Sequence, residues 1–184
     1  MFGSKNTSSA DNQQERLKNI GWITGFVDGE GCFSVGFICQ PNRFNRKGYK
    51  LGVQVWCEFC VTQGEKSLES LTQVKDFFQV GAIYLNKRYD NHKEYLYRYV
   101  VRKRTDLKNT IIPFFQQNKL RTSKKDDFEY FVKCFQIIDT NKHLTVEGIK
   151  ELLDITKQMN RRKDRSEDIL RILNDHTRNS DVNL

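Results

Sequence analysis

No stretch of this sequence approaches the roughly 18 consecutive apolar residues of a membrane span, and the mean hydropathy is −0.68. The first seventeen residues hold no apolar run of the kind a secretory signal carries. Cys57-Glu-Phe-Cys60 has no second CxxC to pair with, and strand positions three apart point to opposite faces, which argues against a shared metal there. Five cysteines are an odd number in a chain too large to need disulfide staples, so the reading is reducing, intracellular conditions. His92, His143 and His176 are isolated and offer no metal-ligand spacing. What is present is bulk and positive charge. Among 184 residues, 13 Phe, 7 Tyr and 2 Trp are enough for a real core. Lys and Arg number 31 against 23 Asp and Glu, a net +8, which points to a polyanionic partner.

The pattern along the chain alternates helix and paired strands. Residues 1–14 are polar and read as a disordered leader. A helix is expected over about 15–28, with Leu17, Ile20, Thr24 and Val27 as its stripe and Gly21 and Gly25 one turn apart. It should stop at Gly29 and Gly31. The period then falls to 2: residues 32–40 and 51–63 read as two long strands joined by a basic connection. A helix over about 66–78, a strand pair over 81–86 and 94–102, and a short helix capped by Asp106 and broken at Pro113 follow. Three more helices are expected: one after 119–125, one capped by Thr145, and a short one from Ser166 through Leu173. The order α-ββ-α-ββ-α with a helical tail is α+β with an antiparallel sheet. We divide it into a leader (1–14), a core (15–140) and a helical C-terminal extension of the same domain (141–184). Charge is uneven, with 41–50, 86–104 and 119–125 contributing +4, +5 and +4, and everything else −5.

Residues 23–31 read Ile-Thr-Gly-Phe-Val-Asp-Gly-Glu-Gly. Asp28 and Glu30 place two carboxylates at the negative end of a helix, where they are disfavoured unless a cation relieves them. The acid spacing is not that of an EF-hand. This segment, between a helix and a β-ribbon, resembles the LAGLIDADG motif of intron-encoded homing endonucleases. Ile-Thr stands for Leu-Ala and Glu30 occupies the final acidic position. The motif occurs once, as in the single-motif members that work as homodimers. The resemblance extends over about 15–175, including Val61-Thr62-Gln63, Val80-Gly81, Pro113-Phe114-Phe115, the lysine pair 124–125 and the Arg-rich stretch before Ser166.

The resemblance implies an αββαββα fold whose saddle-shaped four-stranded antiparallel sheet lies on double-stranded DNA. The first helices of two copies would meet through Gly21, Thr24, Gly25 and Asp28. Glu30 and the Gly29 carbonyl would bind divalent ions, two or three Mg²⁺ per dimer, with Mn²⁺ as a substitute. Glu30, Gln63 and Lys124 would be catalytic, Gln63 ordering water and Lys124, with Lys125 as the alternate, facing the scissile phosphate. The DNA-facing side chains would be Ser34, Gly36, Ile38 and Gln40, then Gln54, Trp56, Glu58 and Thr62, then Tyr84, Asn86, Arg88 and Arg98. Arg43, Arg46 and Lys47 would hold the outer site, and Arg161, Arg162, Lys163 and Arg165 phosphates. Trp56 is odd in such a row: either the row is partly packed or the register slips there.

The implied activity is a metal-dependent double-strand break in a near-palindromic site of about twenty base pairs, since a nine-residue strand tracks about nine base pairs of major groove. The other readings are an intron RNA maturase and a DNA-binding regulator on a dead endonuclease fold. The implied setting is intracellular, organelle-encoded (mitochondrion or chloroplast) or microbial cytoplasm, with no membrane partner and host intron RNA as a further partner.

Overall fold

The computed structural model describes residues 9–40, 48–49, 51–87, 95–159 and 166–181. Helix α1 runs Ser9–Glu30. Ile23 and Val27, one turn apart, are buried in the core. The expected stripe fails at its N-terminal end, where Leu17 is 61% exposed. Residues 11–19 are all exposed, so nothing there selects an apolar face. The helix also starts earlier than expected, and residues 9–14, read as leader, are helical. It ends at Gly31, not Gly29. A Cβ at residue 31 would lie 2.5 Å from Val27 Cγ1 and 2.8 Å from the Val27 oxygen, whereas Gly29 has open space around it. The turn from helix into strand is tight enough to exclude a side chain.

Strand β1 (Gly31–Cys39) pairs antiparallel with β2 (Val53–Gly64), from Gly31 opposite Val61 to Cys39 opposite Val53. A 3₁₀ turn, Glu65–Ser67, leads into α2 (Leu68–Phe78), which buries Leu71, Val74 and Phe78. Strands β3 (Ala82–Asn86) and β4 (Leu96–Val101) complete a sheet of order β1-β2-β4-β3. The expected α+β architecture with a four-stranded antiparallel sheet is what the chain adopts. Period-2 alternation sends Phe33, Phe59, Val61, Tyr99 and Val101 into the main core together with α1 and α2. Phe33 is its hub, with ring centroids 5.0 to 5.4 Å from those of Phe59, Phe115, Phe128 and Phe131.

The segment after β4 differs from expectation. Helix α3 (Arg104–Asp106) passes through a π-helical stretch, Leu107–Ile111, into α4 (Ile112–Gln117). Pro113 follows just after the π-helical stretch, inside a helical run that continues from Arg104 to Gln117, so the helix changes pitch before the proline and does not stop at it. Helix α5 (Lys124–Asp139) buries Phe128, Phe131 and Phe135. Helix α6 (Val146–Thr156) is capped by Thr145, whose Oγ1 accepts from the Gly148 amide at 3.0 Å. Helix α7 extends to Asp181, beyond the expected Leu173. Ile149 and Leu153 of α6 join Ile169 and Leu173 of α7 and Val53 of β2 in a second, smaller core. No described helix is long and apolar enough to cross a membrane.

Candidate functional site

The end of α1 is tied to the start of α5 by a cluster of hydrogen bonds. The Asp28 carboxylate accepts from the Arg121 amide at 2.9 Å, the Thr122 amide at 3.1 Å and the Thr122 hydroxyl at 2.7 Å. Partial burial pushes the Asp28 carboxyl up. The Thr122 hydroxyl, the two amides and the Lys124 charge outweigh that and hold it below its ordinary 3.8. Asp28, expected between two helices, thus has its carboxylate turned on its own chain. The acid at the negative helix end is relieved by these donors rather than left for a cation.

Two residues beyond this latch, Lys124 reaches back across the helix end. Its Nζ donates to the Gly29 oxygen at 3.2 Å and also to the Gly31 oxygen. Lys125 points elsewhere, 3.9 Å from Glu129 on the next turn of α5. Of the alternatives left open by the sequence, Lys124 is the one beside the motif. Glu30 is exposed at the last position of α1. Gln63, half-buried, stands two residues past Val61, the register partner of Gly31, and so at the same end of the sheet.

Could this end hold a divalent ion? Glu30 and the Gly29 carbonyl are hard oxygen donors at the negative end of a helix. A carbonyl oxygen has two lone pairs, so the Lys124 contact leaves one. Among the described residues no group of three or more His, Cys, Asp or Glu could hold a metal. Glu30 and the Gly29 carbonyl are thus the oxygen donors that the end of α1 offers a divalent ion.

Among the described residues, nothing packs on the glycine face of α1. A Cβ at Gly21, Gly25 or Gly29 would meet nothing within 4 Å, and these positions are one turn apart along one face. Trp22 stacks on Phe26 at 5.3 Å beside it and remains 40% exposed. Thr24 is half-buried, its hydroxyl bonded to the Ile20 carbonyl at 2.8 Å.

The sheet face opposite the core carries the row expected to meet DNA, and the register holds through Trp56. Ile38, Gln54, Tyr84 and Asn86 are exposed, and Gln40 and Thr62 are half-buried. Three positions depart from the expectation. Ser34 is buried, its hydroxyl 3.1 Å from Cys32 Sγ. Gly36 is covered, because the indole of Trp56, its partner on β2, lies where a side chain would stand; a Cβ would fall 2.3 Å from the ring. The row is packed there rather than slipped. Glu58 is 1% exposed and takes Arg98 Nη2 at 2.6 Å on one oxygen and Arg102 Nε at 2.5 Å on the other.

Arg102, absent from the sequence-derived site, lies with its guanidinium 5.8 Å from the centre of the Trp56 ring. Its signal was available, since the strand expected over 94–102 puts Arg98 and Arg102, an even number of residues apart, on one row, although β4 itself ends at Val101. Arg43, Arg46, Lys47, Arg88, Arg161, Arg162, Lys163 and Arg165 lie outside the described residues.

The site thus has an acid at a helix end, a lysine folded back beside it, and a sheet face on which Ile38, Gln54, Tyr84 and Asn86 are exposed. Comparison with known proteins defines the class. The LAGLIDADG endonuclease family matches residues 23–135, more than half of the chain, and the protein belongs to that family. A probable intron-encoded endonuclease 2 of Neurospora crassa is 33% identical over 143 residues, 77% of this chain and 29% of the relative. The chain spans under a third of the length of such relatives. Among solved structures, the homing endonuclease I-TnaI is 34% identical with a TM-score of 0.68, over 85% of this chain and 97% of that one. I-SmaMI, bound to an uncleaved DNA target in the presence of calcium ions, is 29% identical with a TM-score of 0.68, over 82% of this chain and 47% of that one.

Proposed function

We propose that the chain is a site-specific DNA endonuclease that works as a homodimer, each copy cutting one strand of double-stranded DNA with divalent metal. The observation that carries this reading is Glu30, exposed at the end of α1, with Lys124 held 3.2 Å from the neighbouring Gly29 oxygen. Glu30 and Gly29 would hold the ion from each copy. A bound divalent ion supplies charge stabilisation at phosphate and a lowered pKa for water. Lys124 places a positive charge beside the phosphate that would lie over the helix end, and Gln63 offers an amide to order water.

The glycine face of α1 supports pairing, since Gly21 and Gly25 let two helix backbones approach closely. The chain aligns with nearly all of I-TnaI and with about half of I-SmaMI, which supports an assembly built from two such units. Pairing about a two-fold axis sets the two Glu30 side chains together and aligns the two sheets along one duplex. A symmetric protein then asks for a near-palindromic site of about twenty base pairs. The intron-encoded names of the relatives support an intron-borne gene in an organelle or microbial genome.

The test is cleavage of DNA spanning the intron-minus junction of the host gene, with Mg²⁺ and with EDTA. A break that requires Mg²⁺ and occurs in both strands is expected. Tight binding without a cut in either condition contradicts the reading and turns attention to the intron RNA.

A further inference from the structure

We infer that Glu58 is a positioning residue for sequence discrimination, a buried counter-ion that aims the Arg98 and Arg102 guanidinium groups at base edges. This rests on the proposal that the face opposite the core meets DNA. Glu58 itself is not a reader. It is 1% exposed and both of its oxygens accept from arginines. The arginines are different: their side chains remain 31% and 62% exposed.

The reason for such a cluster follows from its charge. Two arginines alone would bring +2 to the face, and Glu58 beneath them reduces that to +1. Attraction to phosphate is thereby weakened, so the acid is not there to strengthen non-specific binding. What it supplies is geometry. Arg98 uses Nη2 and Arg102 uses Nε on Glu58, and an arginine has five N–H donors in a rigid fork. Each fork carries further donors beyond the one spent on Glu58, on side chains that are 31% and 62% exposed. A fixed fork suits bidentate contact with guanine O6 and N7, whereas phosphate asks only for a charge.

Trp56 adds the second constraint. The Arg102 guanidinium lies over its ring, and the ring lies over Gly36, where a side chain on the neighbouring strand would displace it. Arg98 is steadied in turn by Cys60 Sγ at 3.3 Å. Glu58, Trp56 and Cys60 on β2 and Gly36 on β1 therefore converge on the direction of two forks. Glu58 is in register with Ser34, four residues from Glu30, roughly 13 Å along the strand. The base pairs concerned lie about four steps outward from the acid.

The experiment uses full-length protein and duplexes that the wild type selects from a random pool, then compares affinity for the selected site with that for each single-base variant. Glu58→Gln is expected to bind unrelated duplex at least as tightly as wild type. It should lose about 10-fold of its discrimination at one or two base pairs, the scale of a single bidentate contact. Arg102→Lys keeps the charge on an exposed side chain, folds normally, and is expected to lose discrimination at a subset of the same base pairs. That variant carries the test if Glu58→Gln does not fold. Unchanged site-to-variant ratios, or a uniform loss across all sequences with a lowered unfolding temperature, would overturn the inference. A wild type that enriches no duplex overturns the DNA reading of this face first, and the inference with it.

Discussion

The Thr122 hydroxyl donates to Asp28 Oδ1 at 2.7 Å, across 94 residues of sequence, and so fixes the start of α5 against the end of α1. Lys124 follows two residues later, and its Nζ donates to the Gly29 carbonyl at 3.2 Å. Asp28→Asn is expected to keep the fold, loosen residues 121–124, and slow cleavage about 10-fold or more, as misplacement near a reacting group does. Single-turnover rates on one duplex, with circular dichroism as the control for folding, check it.

The same latch has a pH signature. The Asp28 carboxyl is held below its ordinary 3.8 by its donors and by Lys124. A group with a depressed folded pKa contributes stability in full above the unfolded value and loses it as pH falls through the folded value. The stability gap between wild type and Asp28→Asn should therefore be constant from neutral pH down to about 4 and close below it. Unfolding midpoints measured from pH 7 to pH 2 give the curve; a gap that widens in acid contradicts this account.

Lys124 and Lys125 are neighbours with different surroundings. Lys124→Ala should lower the single-turnover rate about 100-fold, the scale of losing one donor at a charged transition state. Lys125→Ala removes a long exposed ion pair and should change the rate by less than about 2-fold. Equal losses in the two variants would mean that the Lys124 geometry has no bearing on the chemistry.

Gly36→Ala should force the Trp56 indole off its strand partner, since a Cβ there falls 2.3 Å from the ring. The expected cost is about 1–3 kcal/mol, as for overpacking elsewhere. Chemical denaturation reads the cost. Tryptophan emission reads the displaced ring, with Trp22→Phe as the background because the chain has two tryptophans.

Much of this was legible in the sequence because strand alternation and a nine-residue motif are local signals. Phe33, Phe59, Val61 and Tyr99 fell on the buried face that period 2 assigns them. The helix stripe misled at Leu17, because periodicity does not say where the core stops. At Pro113 the sequence predicts an end or kink, and the helix instead changes pitch, with a π-helical stretch just before the proline letting the run continue to Gln117. The sequence puts Glu58 in the DNA-facing row because its partners, Arg98 and Arg102, are 40 and 44 residues away. Nothing in a single strand reveals that a polar residue on its outer row is already paired.

Gly25→Leu tests the pairing of α1. Nothing within 4 Å of a Cβ at that position opposes a side chain in one copy, so the unfolding temperature of the single chain should change little. Sedimentation should shift from two copies to one, and cleavage should fall with it. A bulky residue that leaves the assembly intact would remove α1 as the interface.

The central claim is that Glu30 is the carboxylate that holds the divalent ion for cleavage. Its most direct test is Glu30→Gln, with binding and cleavage of the wild-type site measured side by side in Mg²⁺. The account predicts binding within a few-fold of wild type and no detectable cut in either strand. Cleavage by Glu30→Gln at the wild-type rate would contradict it.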